Sequence, residues 1–122
     1  MFKSVPYDDW MQLTDKPLNC WRDDDVIGAY DLFINGYVQG GIANVEKHYP
    51  HYKDKWNCKY VYNMTLNGCG YMHEPLKATT LEEAKAEFEE LFADMLRGFK
   101  EGYELNARCM EHLIRIMEGD YK

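Results

Sequence analysis

Two Asn-Gly dipeptides, Asn35-Gly36 and Asn67-Gly68, each sit between runs of strand-forming residues, and no other feature narrows the fold so much. Both residues of the pair tolerate the positive φ of a type I′ turn, whose twist matches that of paired strands, so each dipeptide predicts a β-hairpin. The first spans Val26 to Glu46 and the second Trp56 to Glu74. Across the first turn Ile34 should pair with Tyr37 and Leu32 with Gln39. Across the second, Leu66 should face Cys69, and His73 should lie opposite Tyr62.

The two hairpins differ in patterning. In the second, Trp56, Cys58, Tyr60, Tyr62, Met64 and Leu66 share one face, while Asn57, Lys59, Asn63 and Thr65 share the other, interrupted by Val61. That is the alternation of a half-buried strand. The first is apolar on both faces: Val26, Tyr30, Leu32, Ile34 and Tyr37 on one, Ile27, Ala29, Phe33, Val38 and Ile42 on the other. An antiparallel sheet with one wet face alternates cleanly, so this hairpin must be central in the sheet or covered on both sides, a second protomer being one such cover. Gly40-Gly41 marks a bulge or a strand end.

After Thr80 the apolar period lengthens to that of a helix. Thr80 and Glu83 fit a capping box, and Glu82 and Glu83 suit the positive helix end. Apolar residues then recur at steps of three and four from Leu81 through Phe88, Phe92, Phe99, Met110 and Ile114 to Met117. One reading is a single helix of about 37 residues, some 55 Å long, which outreaches a domain of this size and calls for an oligomer partner. The other is a helical hairpin turning at Gly98–Gly102. The unbroken phase favours the first. A second stripe, Leu105, Cys109 and Ile116, implies cover on two sides, as in a homodimer formed through the C-terminal helix.

Residues 1–25 read as an irregular segment: a short helix over Pro6–Leu13, a turn at Thr14–Pro17, a short strand at Leu18–Trp21, and a loop at Asp23-Asp24-Asp25, whose adjacent carboxylates repel. The expected fold is therefore α+β in a single domain of residues 1–122. An antiparallel sheet of two β-hairpins (26–74) packs against a C-terminal helix or helices (80–118).

Composition limits the function classes. No apolar run approaches the roughly 20 residues of a membrane span. The opening Met1-Phe2-Lys3-Ser4-Val5-Pro6 is too polar for a signal peptide, so a cytoplasmic location without membrane attachment is expected. The four cysteines form no metal-ligand spacing and read as reduced, buried thiols. The net charge of −7 argues against direct nucleic-acid binding and for a basic partner. Its distribution is uneven: residues 41–80 carry five bases and three acids, hence +2, against −4 before and −5 after.

Two groups of residues carry recognisable chemistry. Asp23, Asp24 and Asp25, with Glu83, Glu87 and Glu90 on one helix face, form carboxylate rows that can imitate phosphates toward a basic groove. The partner they imply is a basic host protein or nucleoprotein complex. The connector between the hairpins instead combines stacking rings with cations, at His48, Tyr49, His51, Tyr52, Lys53, Lys55 and Trp56, which suits a nucleotide-like ligand. Its His-x-x-His offers only two metal ligands, so no metal site is expected. No nucleophile elbow, Gly-rich phosphate loop or HExxH motif is present, and neither catalytic residues nor cofactors are expected.

The Trp56-led strand, the Asn67-Gly68 turn and the helix start Thr79-Thr80-Leu81-Glu82-Glu83-Ala84-Lys85 resemble segments of small phage and mobile-element proteins. Over residues 56–90, and in its size, acidity and lack of motifs, the chain is similar to anti-CRISPR and other phage anti-defence proteins. The resemblance implies stoichiometric binding without turnover, and no residue role is carried over from it. Three expectations follow: a non-enzymatic inhibitor of a bacterial defence system, an oligomer that sequesters a nucleotide-like ligand, or an assembly protein.

Overall fold

The computed structural model describes residues 1–66 and 69–118. The Asn67-Gly68 turn lies outside the described residues. The fold is α+β, a sheet with a long C-terminal helix, and the chain divides into two compact units, Met1–Glu90 and Leu91–Lys122.

The elements of the first unit are β1 (Ser4–Pro6), α1 (Tyr7–Gln12), β2 (Cys20–Asp24), β3 (Ala29–Ile34), β4 (Tyr37–Asn44), α2 (Val45–His48), β5 (Tyr60–Leu66) and β6 (Cys69–Pro75), followed by the start of α3 (Leu81–Met117). Among the described residues six strands form one sheet in chain order, β1-β2-β3-β4-β5-β6. All neighbours are antiparallel except β1 and β2. The hairpin signals accounted for β3–β6 alone; β2 and β1 extend the sheet on the N-terminal side.

Asp23 and Asp24 belong to β2, contrary to the loop expected for them. Repulsion is removed locally: Lys85 neutralises Asp23, and Asp24 accepts hydrogen bonds from the Val26 and Ile27 amides, opening the turn into β3. Val26 and Ile27 occupy that turn and are exposed, so they are not strand residues.

The first hairpin turns as expected, with Asn35 and Gly36 at φ 55° and 80° and Ile34 opposite Tyr37. Leu32 then pairs with Gly40, not Gln39, because one extra residue of β4 bulges out. In the second hairpin Leu66 pairs with Cys69 and Met64 with Tyr71, but Tyr62 pairs with Glu74, so His73 is not opposite Tyr62. Met72 and His73 together face Asn63, whose side-chain oxygen accepts a 2.8 Å hydrogen bond from the His73 amide. His73 takes φ 55° to make this bulge.

Both sheet faces are covered by the same chain. On one face Trp21, Tyr30, Leu32, Ile42, Tyr62 and Met64 are buried, as are Ala84 and Phe88 of α3, and Phe88 meets Trp21 and Tyr62 edge-on. On the other, Trp10 of α1 packs on Phe33 and Cys20, and Tyr49, Trp56 and Cys58 pack on Ala43, Val45 and Val61. This accounts for the two apolar faces of the first hairpin, except that the bulge moves Ile42 from the Phe33 face to the Tyr30 face, where it pairs with Tyr30. Trp56 and Cys58 thus join Val61, not Tyr62 and Met64: β5 begins only at Tyr60, and a turn from the Cys58 amide to the Trp56 carbonyl breaks the alternation before it.

The α3 helix is capped by Thr80, whose hydroxyl accepts from the Glu83 amide. The Glu83 carboxylate reaches the Thr79 amide, one residue short of the reciprocal arm of a capping box. The helix continues through Gly98 and Gly102, so the single-helix reading holds. No described helix is long and apolar enough to cross a membrane. Among the thiols, Cys20 is buried and Cys58 partly so, with burial pushing both up in pKa. Cys109 is exposed on α3, contrary to the burial expected of it. The Cys69 side chain lies outside those described.

Candidate functional site

The connector between the hairpins is a wound segment that builds a small aromatic core. Asn44 caps α2 by accepting from the Lys47 amide, and the Val45 amide bonds the Lys59 carbonyl, closing the segment into a loop across the sheet. A short 3-10 turn, Pro50–Tyr52, then returns the chain. Tyr49, Trp56 and His73 gather with ring centroids 5.0–5.3 Å apart, and Tyr52 stacks on Trp56 at 4.7 Å with 12° between planes. Lys55 places its ammonium 5.8 Å over Tyr52. His48 contacts the Ile27 carbonyl at 2.9 Å, and Lys47 donates to the Asp25 carbonyl, tying the connector to the β2–β3 turn. His51 is exposed.

Of the residues expected to hold a ligand, Lys53 and Trp56 line an open cleft of about 750 Å³, whereas His48, Tyr49 and Tyr52 are engaged in the ring cluster and its anchoring. Sequence reasoning missed the rest of that cleft. Lys59, Lys77 and Thr79 join Lys53 on its wall, brought from the entry of β5 and from the chain after β6. Pairing of Val61 with Pro75, and the bond from the Leu76 amide to the Tyr60 carbonyl, set these segments side by side. The signal available beforehand was the excess of bases in residues 41–80. An adjoining hollow of about 320 Å³ shares Lys53, Cys58, Lys59 and Thr79 and adds Asn44, Glu46 and Asp54. Three lysines, a threonine and a tryptophan among the lining residues suit a phosphate-bearing molecule with a flat ring. Glu46 and Asp54 are acceptors for hydroxyl or ring N–H donors.

Of the acidic candidates, Asp23, Asp24 and Asp25 line a different hollow, whereas Glu87 and Glu83 bond the amides of the cleft residues Lys77, Ala78 and Thr79. Asp23 accepts a 2.6 Å hydrogen bond from Lys85, which is 4% exposed. Asp25 accepts from the Tyr30 hydroxyl at 2.9 Å; burial first, then this bond, pushes the Tyr30 pKa up. Glu87 accepts from the Lys77 and Ala78 amides and so holds the chain entering α3, while Glu83 accepts from the Thr79 amide just before the cap. Glu90 is exposed. The structure therefore brings Asp23–Asp25 together beside a hollow of about 400 Å³ with Tyr7 and Asp8, and engages most of the carboxylates internally.

Among the described residues no group of three or more His, Cys, Asp or Glu is arranged to hold a metal ion. Comparison with protein-family models, curated proteins and solved structures returns no match.

Proposed function

We propose that this protein is a non-enzymatic binding protein that sequesters a small phosphate-bearing ligand of nucleotide type. The observation that carries the reading is the convergence of Lys53, Lys59 and Lys77 on one cleft beside Trp56, in a chain whose net charge is −7. A cationic wall on an acidic protein is local chemistry, since general solubility needs no such grouping. The carboxylates that would have opposed a basic groove are mostly spent on the fold's own amides, on Lys85 and on Tyr30, which favours the cleft over the acidic rows. Holding a nucleotide out of solution is also stoichiometric action of the kind the anti-defence resemblance implies.

The test is native mass spectrometry of the gently purified protein, followed by calorimetric titration with a panel of nucleotides. A bound mass of a few hundred daltons is expected. Lys59→Glu and Lys77→Glu should each weaken binding about tenfold or more, as expected for losing a charge-assisted hydrogen bond. Absence of bound mass together with flat titrations would reject the proposal.

A further inference from the structure

Beyond Glu90, α3 carries a second pattern that the cleft does not use. Leu96, Tyr103, Met110 and Met117 recur every seven residues, and Phe99 and Asn106 fall between them at steps of three and four. These are the a and d positions of a heptad, which lie along one seam of a helix. Leu96, Tyr103, Met110 and Met117 are 46%, 54%, 62% and 86% exposed. The positions bordering the seam are Gly102, Cys109 and Ile116 on one side and Lys100, Ala107 and Ile114 on the other. The remaining three positions of each heptad take Arg97, Glu101, Glu104, Arg108, Glu111 and Arg115, which are all the Asp, Glu, Lys and Arg between residues 96 and 117 apart from Lys100. With Leu105 as the exception, charge and apolar surface are thus sorted onto opposite sides over about 33 Å of helix.

We infer that this seam docks against the same seam of a second copy of the chain. The partner's chemistry follows from the pattern. A basic target would meet no carboxylate along the seam, and an acidic one would meet only Lys100. A second copy meets an uncharged surface like its own. The Asn106 amide both donates and accepts, so it can pair with itself across a two-fold axis, as a polar seam residue does when it sets register. Gly102 and Ala107 leave room for the backbones to approach. The outward charges, three Arg and three Glu, cancel and add no net repulsion between copies.

Sedimentation velocity of the full-length chain over a range of concentrations tests this. Association of the 14.4 kDa chain to twice its mass is expected. The variant Tyr103→Glu/Met110→Glu should be monomeric at every concentration, with near-ultraviolet circular dichroism of the sheet unit unchanged. The outward change Glu104→Lys should leave the dimer intact. A wild-type chain that stays monomeric at the highest attainable concentration would overturn the inference. So would a dimer that survives Tyr103→Glu/Met110→Glu, or a stable complex in which one chain binds a different protein through the seam. Nucleotide titration of the monomeric variant separates this outcome from that of the cleft.

Discussion

Lys85 shows how strongly one residue can depend on distant sequence. Its ammonium donates to Asp23 and to the Ser4 hydroxyl at 2.6 Å each, and lies 5.7 Å from the rings of Trp21 and Tyr30. Burial raises the Asp23 pKa above the ordinary carboxylate value; the Lys85 hydrogen bond and charge oppose the rise without cancelling it. One Asp23 oxygen, Oδ1, is buried without a hydrogen-bond partner, which agrees with a desolvation cost. Because the folded pKa lies above the unfolded one, this group's contribution is fully present below the unfolded value near 3.8 and is lost as pH rises through the folded value. Urea melts of the wild type should show that decline, and Asp23→Asn should flatten it. Asn imitates the protonated carboxyl and still offers Lys85 an oxygen, so it should cost little at neutral pH, whereas Asp23→Leu alone strips the buried ammonium of its acceptor and should cost about 3 kcal/mol. The paired change Asp23→Leu/Lys85→Met should cost less than Asp23→Leu alone; an equal or larger loss would mean the pair contributes beyond its own neutralisation.

At the scale of elements, Gly40 sets how closely β4 and β5 approach. There φ is 154°, and a Cβ would collide with the Asn63 carbonyl oxygen and lie 3.1 Å from the Phe88 ring. β4 can therefore pair closely with β5, and Phe88 of α3 can seat over the strand, only where no side chain intervenes. The obstructing atoms of Asn63 and Met64 are backbone, so no side-chain rotation relieves the clash. Gly40→Ala should destabilise the protein by about 2 kcal/mol or more, through strain and displacement of Phe88. Thermal melts measure the loss, and tryptophan fluorescence should report it through Trp21, which Phe88 contacts edge-on.

At the scale of the whole molecule, the two units should differ in how they resist opening. Strands buried on both faces exchange amide hydrogens only on global unfolding, whereas a lone helix with one exposed apolar stripe is marginal in water. Hydrogen exchange should therefore protect residues 29–64 independently of protein concentration. Protection of residues 96–117 should rise with concentration and disappear in Tyr103→Glu/Met110→Glu. Concentration-independent protection of that stretch would contradict self-association as its source of stability.

How much of this was legible beforehand follows from the range of each interaction. Asn35-Gly36, the Thr80 cap and the unbroken helical phase act within a few residues, so local pattern located the first turn, the helix start and the continuation past Gly98 and Gly102. The bulges at Gly40 and His73 shifted the register because they answer to neighbours across strands, Asn63 above all. The same holds for Asp23, whose place in a strand depends on a lysine 62 residues away. The cleft lies furthest from local reach. Lys53, Lys59 and Lys77 share no period or motif, and only the return of β6 beside β5, with the connector wound against the sheet, brings them to one cleft. Sequence by itself determined the first turn, the helix cap and the long helix, because turns, caps and helical periodicity are local free energies. Tertiary structure alone decided which side chains meet, because that depends on register and on which face each element covers.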